Sequence, residues 1–96
     1  MLASAFVYIL TNEYHTTLYI GVTTDLYVRV WEHQTKQNPR SFTARYNVTK
    51  LIYYESFDSI AVAIRREKYL KKKKRCWKED LIGTVNPLWD EVEVPG

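Results

Sequence analysis

With 96 residues, 46% of them apolar and 15% aromatic, the chain is expected to form a single domain spanning 1–96 with a modest core, which excludes a disordered tail. Cys76 is its only cysteine, which rules out an internal disulfide or a cysteine-built zinc site and fits a reduced compartment. The net charge is only +3, no apolar run approaches the roughly 20 residues of a membrane span, and Met1 to Leu10 lacks the basic start and cleavage site of a signal peptide, so a cytoplasmic location is expected.

In chain order, Ala5 to Thr11 is a continuous apolar and aromatic run that suits a buried strand, and Thr17 to Val22 is a second. The polar segment Asn12 to Thr16 between them predicts an antiparallel hairpin, and Gly21 marks a close backbone approach or a bend. A helix should start near Thr24 or Asp25, whose side chains can accept from first-turn amides, and run to about Thr35 or Lys36. Its residues Leu26, Arg29, Val30 and His33 recur at helical spacing, so Arg29 and His33 share the face that packs on the sheet. Gln37 to Asn47, with Asn38, Pro39, Arg40, Ser41 and Arg45, reads as an ordered basic loop, and Lys50 to Phe57 as the third strand.

Asp58 or Ser59 opens the longest helix, which carries Glu67 and then a lysine run. A short helix around Trp77 to Ile82 follows, stopped by Gly83, and Asn86-Pro87-Leu88-Trp89 should pack back to hide its Trp and Leu. The predicted fold class is α+β and layered: a small three-stranded antiparallel sheet flanked by about three helices, in the order β-β-α-β-α-α. Basic charge gathers in Lys68 and Lys71 to Arg75, while Asp90, Glu91 and Glu93 gather at the other end, so the long helix suits a polyanion unless the run is only a solvated face.

Glu67 is the odd residue of that helix. Counted from Ile60, it shares the apolar stripe with Ala63, Ile64 and Leu70, where an unpaired carboxylate is costly. A basic side chain, a proton or a bound cation must meet it, and the simplest partner is Lys71 four residues on.

The two strands contain Phe6-Val7-Tyr8 and, ten residues later, Tyr19-Ile20-Gly21, a pair that resembles the signature of the GIY-YIG endonucleases. Arg29 and His33 resemble the family's helix arginine and the His or Tyr one turn beyond it. Arg66-Glu67-Lys68 resembles its metal-binding glutamate segment, and Asn86-Pro87-Leu88-Trp89 is similar to the closing motif of its small single-domain members. Phe6 stands where the signature glycine would be, Val7 replaces its isoleucine, and the lysine that some members carry just past the second tripeptide is absent from Val22-Thr23-Thr24.

The resemblance implies a metal-dependent endonuclease that hydrolyses nucleic-acid phosphodiester bonds, DNA before RNA, of the kind used in DNA repair or recombination. It implies Mg²⁺ or Mn²⁺ on Glu67, a single hard carboxylate completed by water and phosphate oxygens. Arg29 would grip the scissile phosphate with its planar fork. Tyr19 would be the general base or its relay, with Tyr8 beside it, and His33 would position water, act as the base itself or contact the phosphate. Strand alternation puts Tyr19 opposite to Leu18 and Ile20, so one groove lined by Tyr8, Tyr19, Arg29, His33 and Glu67 is expected. Arg40, Arg45, Lys68, Lys71, Lys72 and Asn86 are the expected nucleic-acid contacts, although Asn86 is equally suited to cap the turn before Pro87. The alternative is a non-catalytic module of the same fold that binds nucleic acid or a partner, and a homodimer through Trp89 or a sheet edge is left open.

Overall fold

The structure, a computed structural model, describes residues 3–94. Its strands are β1 (Ala5–Thr11), β2 (Leu18–Thr23) and β3 (Lys50–Phe57), and its helices α1 (Leu26–Gln34), α2 (Phe42–Arg45), α3 (Ile60–Lys71) and α4 (Arg75–Gly83). All strands pair antiparallel in the order β2-β1-β3. The expected class and element order are present, with α2 added.

The most apolar strand, β1, lies in the centre, and every residue of it except Phe6 is buried. The hairpin turn is held by Asn12, whose Oδ1 accepts from the Thr16 and Thr17 amides at 2.8 and 3.2 Å. A register shift between Ile9 and Leu10 in the β1–β3 pair gives β3 one extra residue, so that Ile52 and Tyr53 both join the same core as Ile9.

Both faces of the sheet are covered. Ala5, Val7, Ile9 and Ile20 point to one side, where Ala63 and Leu70 of α3 and Ile82 of α4 meet them. Tyr8, Leu10 and Leu51 point to the other, against Leu26 and Val30 of α1, with Tyr19 alongside. Asp25 caps α1 by accepting from the Val28 amide at 3.1 Å.

Three sequence expectations need correction. The basic loop contains α2, capped by Ser41, whose hydroxyl accepts from the Ala44 amide at 3.2 Å; a single turn has too few residues to show apolar periodicity. The lysine run does not continue α3, which stops at Lys71: Lys72 to Lys74 turn the chain, with Lys74 extended, and α4 begins at Arg75 rather than Trp77. One helix through Lys71 to Arg75 would stack like charges a turn apart, and the turn relieves that. The stripe of α3 is also narrower than expected, since Ala63 and Leu70 are fully buried, Ile64 and Glu67 lie at the margin and Ile60 is 41% exposed.

The tail lies along the outer side of β3. The Asn86 amide donates to the Ile52 and Asp90 carbonyls, both at 2.8 Å, and the Val92 amide donates to the Leu51 carbonyl at 2.8 Å. Trp89 packs back against the α3–α4 core, but Leu88 stays 75% exposed. The outer edge of β2 has no strand partner among the described residues. No helix among them is long and apolar enough to cross a membrane.

Candidate functional site

Tyr8 stands in mid-β1 directly across from Gly21 on β2. A Cβ built on Gly21 would overlap the Tyr8 ring, so the glycine of the second tripeptide makes room for the tyrosine of the first. Of the two roles foreseen for Gly21, close approach is the one realised.

Leu26 and Val30 anchor α1 to the sheet, and the helical spacing then brings Arg29 and His33 over Tyr8. The Tyr8 hydroxyl and His33 Nε2 are hydrogen-bonded at 3.0 Å. On the other side of the imidazole, Nδ1 is bonded to the Thr43 hydroxyl at 2.9 Å, and Thr43 in turn lies 3.3 Å from the Ser41 hydroxyl. The Tyr19 ring closes the third side, with centroids 6.3 Å from Tyr8 and 5.5 Å from His33. Arg29 flanks this group from the next turn of α1 and pairs with Glu32 at 3.3 Å, both side chains being well exposed to solvent.

The environment sets the charge states. Burial, partly offset by the neighbouring Arg29 guanidinium and reinforced by Tyr19 and Glu67, pushes the Tyr8 phenol up to about 12. Burial, and then the positive charge of Arg29, bring His33 down to about 4 against a smaller opposing pull from Glu32, so the imidazole is neutral at ordinary pH. Burial works against the Arg29 charge, yet Tyr8 and Glu32 outweigh it and its pKa rises.

Glu67 stands on α3, which covers the opposite face of the sheet, and its charge adds to the upward shift of Tyr8. Its side chain is only 14% exposed, and it pairs with Lys71 at 3.4 Å, a lysine itself 51% exposed. Among the described residues no three His, Cys, Asp or Glu side chains gather as a ready metal cage. The donor set present is one shielded hard-oxygen ligand whose partner can swing into solvent, and this fits Mg²⁺, which keeps most of its waters and uses one or two carboxylates with substrate phosphates.

Tyr8, Tyr19, Arg29 and His33 thus come together, while Glu67, on the helix that covers the other face of the sheet, is linked to them through its charge on Tyr8. The expected nucleic-acid contacts do not form one cluster. Arg40 and Arg45 are exposed beside α2, while Lys68, Lys71 and Lys72 are exposed along the end of α3. Asn86 lies at the β3 edge, across the sheet from Tyr19, with its amide occupied by backbone groups. Thr43, only 2% exposed, and Ser41 belong to the site and carry no sequence signal beyond a serine in a capping position.

Comparison with known proteins places this geometry. Residues 4–80 match the family described as the GIY-YIG catalytic domain. A UPF0213 protein of Natronomonas pharaonis is 35% identical over 82 residues, covering 85% of this chain and 94% of that protein. A UPF0213 protein of Halobacterium salinarum is 43% identical over 65 residues, covering 68% of this chain and 83% of its own length. The solution NMR structure of a UPF0213 protein from Bacillus halodurans superimposes with a TM-score of 0.57 at 27% identity, covering 90% of this chain and 89% of that one. The matched span runs from the residue before β1 into α4 and takes in Tyr8, Tyr19, Arg29, His33, Thr43 and Glu67, and by it the chain belongs to the GIY-YIG family, a nuclease superfamily, together with the UPF0213 proteins.

Proposed function

We propose that the chain is a cytoplasmic, divalent-metal-dependent endonuclease that hydrolyses phosphodiester bonds, of DNA before RNA. The observation that carries this reading is the buried Tyr8–His33 hydrogen bond at 3.0 Å, flanked by Arg29 and Tyr19 and reached by the charge of Glu67. Membership of a nuclease superfamily supplies the reaction class.

In this reading Arg29 releases Glu32 and holds the non-bridging phosphate oxygens through its fork, where its fixed charge opposes the charge that develops at phosphorus. With the Tyr8 phenol donating to Nε2 of His33, Nδ1–H of His33 donates to Thr43, and the Arg29 charge eases the Tyr8 oxygen toward its ionised form. A proton lost by the attacking water to the Tyr8 oxygen is then matched by transfer of the Tyr8 proton to the unprotonated Nε2, a weak base in this site whose imidazolium gains support from the phosphate's negative charge. Tyr19 borders the same space from β2, as base or relay for the same water. Glu67 would hold Mg²⁺ or Mn²⁺, which supplies charge neutralisation at the phosphate and activation of water.

The test is a cleavage panel of single-stranded, duplex and branched substrates with each cation. Glu67→Ala and Arg29→Ala are expected to lower turnover by at least about 10²-fold with the circular dichroism spectrum unchanged, and chelation should abolish it. Full activity of Glu67→Ala refutes the role given to that carboxylate.

The Glu67–Lys71 pair favours one second reading, a module that binds nucleic acid without cutting, because the ion pair already satisfies the acid. Binding without cleavage across all cations and substrates decides for it.

A further inference from the structure

Helix α2 is one turn long and two-faced. Its inner side, Thr43 and Ala44, is 2% and 8% exposed, and Thr43 holds the His33 ring. Its outer side presents Phe42 and Tyr46, 49% and 51% exposed, with ring centroids 4.9 Å apart and planes at 45°. The Arg45 guanidinium lies 5.7 Å from the centre of the Tyr46 ring. Two paired aromatic rings turned to water in a basic segment are not explained by the core, to which neither ring belongs. π-Faces combined with guanidinium groups are what a nucleotide strand offers a match to: rings for its bases, cations for its phosphates.

We propose that Phe42 and Tyr46 form a stacking platform for an unpaired nucleobase, with Arg45 and Arg40 meeting the phosphates on either side. This rests on the nucleic-acid reading above and narrows it to substrates with at least one unstacked nucleotide, such as a single strand, a flap or an extruded base. A base inside a duplex has both faces covered by its neighbours and cannot use the platform. The position is apt because α2 is so short: Ser41 and Thr43 line a cleft of about 190 Å³ together with Arg29, His33 and Lys36. Phe42 stands between Ser41 and Thr43 in the chain, so a base stacked on it lies next to the wall of a cleft that Arg29 also lines.

The experiment uses the full chain in buffer with a chelator, so that binding is read without cutting. Fluorescence anisotropy is measured with a labelled oligothymidylate, an abasic strand of equal length and a blunt duplex. The wild type should bind oligothymidylate about tenfold or more tighter than the abasic strand, as stacking of a single base provides. The double variant Phe42→Leu/Tyr46→Leu keeps apolar bulk but loses both π-faces, and it should bind the two strands equally with the abasic affinity unchanged. The exchange Phe42→Tyr/Tyr46→Phe should keep the preference.

A wild type that binds both strands alike overturns the proposal without reference to any variant. So does a leucine variant that retains the preference, as a surface made for a protein partner predicts, or one that loses affinity for both strands together, as a surface made for phosphate alone predicts. Failure to cut with any cation leaves these affinities untouched and removes only the hydrolase assignment. Failure to bind any of the three probes removes the nucleic-acid reading and the platform with it.

Discussion

His33 holds its place by what it gives up. Burial and the Arg29 charge keep its pKa near 4 in the fold, whereas the unfolded chain takes up the same proton near the ordinary 6.5. Between those values the unfolded state binds more protons, so stability contributed by the neutral ring is complete above pH 6.5 and lost as pH falls to about 4. The loss should reach about 3 kcal/mol, read as a steeper fall of urea midpoint with acid in the wild type than in His33→Gln. Thr43 makes a second prediction at this scale. Thr43→Val removes the partner of Nδ1 inside a buried site, which should cost about 1–3 kcal/mol and lower turnover, while Thr43→Ser restores both. An equal loss in the serine variant would mean that the methyl group, not the hydroxyl, is what matters. Of these residues the sequence marked Arg29, His33 and Glu67 as polar groups on apolar helical stripes, and Tyr8 and Tyr19 only through the resemblance to the GIY-YIG signature. It was silent on Thr43, since a threonine in a polar stretch looks the same whether it faces water or an imidazole.

At the level of elements, the strands were the most legible part. β3 spans Lys50–Phe57 as its apolar run predicts, and Asp25 caps α1 where expected. The errors fall where charge or brevity overrides pattern: α2 is one turn, and Lys72 to Lys74 break a periodicity that the apolar positions alone would have carried onward. One tie between elements was also invisible. Glu55 of β3 takes a fork of hydrogen bonds from Arg66 of α3, at 2.8 and 2.9 Å, and a further one from the Tyr53 hydroxyl. Burial opposes the Glu55 charge, but Arg66 and Tyr53 outweigh it and lower its pKa, so this tie stands at neutral pH and weakens as acid protonates the carboxyl. Glu55→Gln should lower the thermal midpoint by several degrees, consistent with about 1–3 kcal/mol, yet leave cleavage per folded molecule unchanged because the pair lies outside the Tyr8 cluster. Reduced cleavage by the folded variant would show that α3 must be held this firmly to present Glu67.

For the molecule as a whole, the net charge of +3 understates its polarity, since five of the 14 cations are consecutive at Lys71 to Arg75 while Asp90, Glu91 and Glu93 gather in the tail. Affinity for any nucleic acid should therefore fall steeply with salt, with a log–log slope equal to about 0.7 to 0.9 per phosphate contacted. Anisotropy titrations over a range of salt give that slope. A flat profile would argue that phosphates are not what these cations meet. The doubly covered sheet was foreseeable only in part: alternation in β2 separated Tyr19 from Ile20, but nothing in the tail revealed that Asn86 and Val92 would fasten it along β3.

That fastening has a consequence for assembly. A sheet with both flanks open can grow without limit, copy upon copy, whereas here the protein's own tail covers the Leu51–Ile52 end of the β3 flank, and the β2 flank has no strand partner among the described residues. Antiparallel strand addition at the β2 flank joins two copies with twofold symmetry and uses up that flank in both.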